Sequence, residues 1–90
     1  MELEPIDIKV LEKLIFEERF ENILEECKEL AGAKVIEDVL KNLIQHQFVQ
    51  SREISGSGKK KAGFIYDADF MHDYVYQISS KGLKNIGHFR

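Results

Sequence analysis

The stretch Ala33–Val49, AKVIEDVLKNLIQHQFV, changes period part-way along. Val35, Ile36, Val39, Leu40 and Leu43 recur at helical spacing, which predicts a helix over about 33–46. Phe48 and Val49 then open a short run, Phe48–Ile54, that reads as a strand. Gly32 stands before the helix, where a preceding helix would stop. A helical stripe passing through a tight turn into a strand predicts an α+β chain rather than a bundle or a sandwich.

Upstream, Pro5 suits a first helical turn because its missing N–H costs nothing there. Ile6, Val10, Leu11, Leu14 and Ile15 extend helix one over about 5–17. Phe20, Ile23, Leu24, Cys27 and Leu30 predict helix two over about 20–31. Downstream, Ala62–Tyr66 reads as a returning strand after the soft loop SGSGKKKAG, residues 55–63. Tyr74–Ile78, YVYQI, alternates cleanly and is the clearest strand. Ser79 sits at an N-cap position before a short helix over about 80–87, with Leu83 and Ile86 facing in. Three helices on a small antiparallel sheet make one core, so 90 residues are expected to form one domain.

Two phrases in this order resemble the winged helix-turn-helix family, as found in MarR-like and PadR-like bacterial regulators. One is Ala33–Val49; the other is YVYQISSKGL, residues 74–83. The resemblance spans about 6–86 and implies a three-helix core, a wing over about 48–78 and a short C-terminal helix. It implies a small bacterial or phage transcription regulator that binds double-stranded DNA through helix three and the wing. Gln47 stands where the family most often has glycine or a small polar residue at the turn after the recognition helix, a backbone that Gln can adopt at a cost of about 1 kcal/mol. The segment between Ile54 and Tyr74 is longer than a minimal wing.

On that reading, Lys34, Lys41 and Gln45 share an exposed face of helix three, with Asn42 beside them. Asn and Gln can read base edges bidentately, and Lys can read guanine or hold phosphate. Arg52 and the loop lysines Lys59, Lys60 and Lys61 would pair with phosphates. Glu37 and Asp38 on the same helix oppose a polyanion. The alternative is a winged helix that binds a protein, with the basic loop meeting an acidic partner.

Charge patterning leaves both open. The net charge is −3, but residues 1–32 hold ten acids against four bases, and the remainder is net basic. At 43% hydrophobic and 32% charged, the composition is that of a folded globular chain. Nothing in it reads as a membrane span or a signal peptide, and the single cysteine fits a reducing compartment, so a cytoplasmic protein is expected. No catalytic pairing or phosphate-cradling glycine loop is present, so neither an enzyme nor a cofactor is expected. DADFMHD, residues 67–73, lacks the glycine and late glutamate of a calcium loop. Cys27 reads as a small core residue. A two-fold dimer would match a palindromic site, using helix one, the last helix or the aromatic patch of Tyr66, Phe70, Tyr74 and Tyr76.

Overall fold

The computed structural model describes residues 2–54 and 71–87. Its elements run α1 (Pro5–Lys13), β1 (Glu18–Arg19), α2 (Phe20–Glu26), α3 (Ala33–Gln45), β2 (Val49–Glu53), a 3₁₀ turn (Met71–Asp73), β3 (Tyr74–Ile78) and α4 (Ser80–Ile86). The expected returning strand at Ala62–Tyr66 and the lysine loop lie outside the described residues.

Helix one is shorter than its apolar periodicity predicts: it ends at Lys13, not Glu17. The reason is tertiary. Ile78 N donates to Leu14 O at 2.8 Å, so strand β3 captures the carbonyl on which another turn would have been built. The chain then turns and contributes β1, a two-residue strand that periodicity did not reveal. At the other end, Pro5 occupies the first turn, and the buried Asp7 carboxylate accepts from Glu4 N at 2.7 Å. That bond satisfies both a free helix donor and a buried acid.

Helix two is also shorter than expected, ending at Glu26 rather than near Ala31. Residues 27–30 continue only as turns, and Leu30, assigned by spacing to the core, is exposed. α3 spans nearly the expected length and buries Ile36, Leu40, Leu43 and Ile44. Each such side chain contributes about 1.5–3 kcal/mol on leaving water. Val35, read as part of that stripe, is 48% exposed; Ile44 takes the buried place instead.

The sheet is antiparallel throughout, in the order β1-β3-β2. Val49 pairs with Ile78 and Glu53 with Tyr74, and Ile54 N continues the pairing to Asp73 O at 2.8 Å. The alternation of β3 places Tyr76 and Ile78 on the core, with Val49 and Ser51 beside them. Their neighbours Val75, Gln77, Gln50 and Arg52 therefore face outward, and Arg19, opposite Val75, joins them. The helices cover the inner face around Val10, Leu11, Leu14, Ile23, Cys27 and Leu40.

Candidate nucleic-acid interface

α3 presents its polar residues opposite its buried stripe. Lys34, Asn42 and Gln45 are exposed, and Lys41 is half-buried. Neither lysine is free. Lys41 Nζ lies 2.7 Å from Glu37 Oε2, and Lys34 Nζ lies 3.6 Å from Asp38 Oδ1, both one helical turn apart. The hydrogen bond from Lys41 holds the Glu37 carboxyl below the usual carboxylate range; slight burial opposes this, and the charges of Lys41 and Lys34 reinforce it. The lysines and acids balance, so the helix is electrically neutral. Asn42 and Gln45 differ from the lysines. Among the described residues, their side-chain amides have no intramolecular partner, so they remain free for another molecule. Val35 adds an exposed methyl pair to the first turn of the helix.

Arg52 is committed elsewhere. From β2 it reaches over the sheet to Glu17, donating Nε to Oε2 at 3.0 Å and Nη2 to Oε1 at 2.7 Å. This two-point geometry lowers the Glu17 pKa, with the hydrogen bond as its largest cause, and raises that of Arg52. A phosphate would have to displace a carboxylate to use Arg52. Lys59, Lys60 and Lys61 lie outside the described residues.

The SSKG phrase, residues 79–82, has a structural role instead. Ser79 Oγ accepts from Gly82 N at 3.1 Å, capping α4, and donates to Gln47 O at 2.6 Å. Ser79 N donates to Phe48 O at 2.9 Å. Lys81 Nζ donates to His46 O at 2.9 Å and lies 4.8 Å from the centre of the Phe48 ring. That places a cation at the carbonyl end of α3 and over an aromatic face. Gly82 is required by close approach: a Cβ there would lie 2.4 Å from Phe48 O and 2.6 Å from Ile78 Cγ1. The turn so gripped contains Gln47 at φ 67°, the left-handed region that favours glycine. His46 Nδ1 sits 3.0 Å from Asn42 O at the end of α3. Sequence reasoning anticipated the Ser79 cap, but missed Lys81 and Gly82; the Lys-Gly spacing was the available signal.

The other candidates are absorbed by packing. Cys27 is fully buried, and burial pushes its thiol pKa up. Tyr76 is core, donating its hydroxyl to Met71 O at 2.9 Å, and Tyr74 is half-buried; Tyr66 and Phe70 lie outside the described residues. His72 packs edge-on against Phe20 and sits 3.5 Å from Glu21. Among the described residues, no cluster of three His, Cys, Asp or Glu could hold a metal, and no helix is long and apolar enough to cross a membrane.

Comparison with protein families, with curated proteins and with solved structures finds no match for this chain.

Proposed function

We propose that this chain is a winged-helix DNA-binding domain acting as a small transcription regulator. The observation that supports it most is the polar face of α3, where Asn42 and Gln45 offer free amides beside Lys34 and Lys41. Such amides pair bidentately with adenine in the major groove. The element order and the β1-β3-β2 sheet are compatible with a winged helix, and the lysine run falls between β2 and β3, where the wing would be. Lys59–Lys61 would clamp phosphates of the bound DNA.

A second reading, a winged helix that binds a protein partner, is favoured by the neutral charge of α3 and by the engagement of Arg52 with Glu17.

Titration with mixed-sequence duplex DNA at two salt concentrations decides between them. DNA binding predicts measurable affinity at low salt and a steep fall as salt rises. Replacing Lys59–Lys61 by alanine should flatten the salt slope by up to about three. No binding at low salt refutes the DNA reading and leaves the protein-partner reading.

A further inference from the structure

On the polar face of α3, one line of side chains stands furthest from the core. Val35, Asp38, Asn42 and Gln45 follow one another at steps of three, four and three, which stacks them along one side of the helix. The buried Ile36, Leu40, Leu43 and Ile44 occupy the opposite side. All four outer residues are exposed, and the line they form is about 15 Å long. Val35, 48% exposed, begins it. The helix itself does not call for valine there, because a stiff β-branched side chain is a poorer helix former than alanine. Asn42 lies two turns further on, almost directly above Val35, so an apolar tip and an unpartnered amide share one edge.

We infer that this line reads adenine–thymine base pairs, with Val35 packing on the C5-methyl of thymine and Asn42 and Gln45 pairing with adenine. The inference rests on the DNA-binding reading above and adds the class of sequence bound. An Asn or Gln amide matches the adenine edge, because it carries a donor for N7 and an acceptor for the N6 amine. Thymine carries the methyl group of the major groove, and an apolar side chain is what meets it. Asp38, between these residues, accepts only. It can meet an exocyclic amine, but it is repelled by the two acceptors that guanine presents, N7 and O6. The usual readers of guanine are missing from the line. α3 contains no arginine. Lys41 is drawn to Glu37, further round the helix, at 2.7 Å, and Lys34 faces Asp38 at 3.6 Å. Arg52 is held by Glu17.

Selection of binding sites for the full chain from a random duplex library at low salt, followed by titration of the selected duplex, tests the inference. The selected site should be rich in A·T pairs. Exchanging a contacted A·T pair for G·C should weaken binding by about fivefold to 150-fold. Exchanging a contacted thymine for deoxyuridine deletes only the methyl and should weaken binding by about fourfold. Val35→Ala should keep the wild-type circular dichroism, bind the thymine duplex about fourfold more weakly and be indifferent to the deoxyuridine exchange. That indifference separates a methyl contact from a preference for the shape of A·T-rich DNA. A selected site rich in G·C overturns the inference and leaves DNA binding standing. So does a wild type indifferent to deoxyuridine at every thymine, or a Val35→Ala variant as sensitive to the exchange as the wild type. Failure to bind any duplex at low salt removes the DNA reading and this inference with it.

Discussion

Replacing Gly82 by alanine sets two effects of opposite sign against each other. In a helix interior, Gly→Ala ordinarily gains about 1 kcal/mol, because alanine loses less backbone entropy on folding. At Gly82 the new Cβ would lie 2.4 Å from Phe48 O and 2.6 Å from Ile78 Cγ1. The carbonyl cannot yield, because it is backbone and already accepts from Ser79 N at 2.9 Å. α4 must therefore retreat by about 1 Å to restore ordinary contact distances. That retreat stretches the bonds from Ser79 Oγ to Gln47 O and from Gly82 N to Ser79 Oγ. Overpacking costs about 1–3 kcal/mol, and loss of the cap adds about 1. The clash wins, and Gly82→Ala should destabilise the domain by about 2 kcal/mol. For a domain of this size that lowers the melting temperature by about 10 °C. Thermal melts followed by circular dichroism measure it directly. A variant melting at or above the wild-type temperature would refute the argument and show that α4 does not press on Phe48.

Two further outcomes follow from the same geometry. Gln47→Gly should stabilise the domain by about 0.5–1 kcal/mol, because relief of the positive φ outweighs the extra entropy of glycine, while Ser79 still bonds the residue 47 carbonyl; a lower melting temperature would show that the glutamine side chain contributes packing. Glu17 and Glu37 have pKa values below normal in the folded chain, so the stability they add is present above the unfolded carboxylate range and is lost as pH falls through their folded values; the double variant Glu17→Gln, Glu37→Gln should therefore lose less melting temperature on acidification from about pH 5 downward than the wild type, and identical slopes would remove both pairs from the account.

Much of the fold was legible where local pattern and tertiary demand agree. β3 was readable because YVYQI alternates and its inner residues are buried. α3 was readable because four buried residues recur at helical spacing. β1 was not, because two residues cannot show a period; Glu18 and Arg19 are a strand only because β3 lies beside them. Nor was the early end of α1, where apolar spacing ran on through Ile15 while β3 took the Leu14 carbonyl. Val35 and Leu30 show the limit of apolar counting: spacing places a residue on a face but does not say what covers that face. At the candidate interface, the amides of Asn42 and Gln45 could be chosen from residue type. The capture of Arg52 by Glu17 could not, because 35 residues separate them.

The grip of α4 on residues 46–48 has a mechanical consequence. Ser79 and Lys81 hold three successive carbonyls, those of His46, Gln47 and Phe48, at the point where α3 becomes β2. α4 is thus a lever whose short arm ends on the exit of α3. A shift of α4 therefore bears on the exit of α3 through these three carbonyls. The last turn of α3, which carries Asn42 and Gln45, is thus set by a helix that lies more than thirty residues further along the chain.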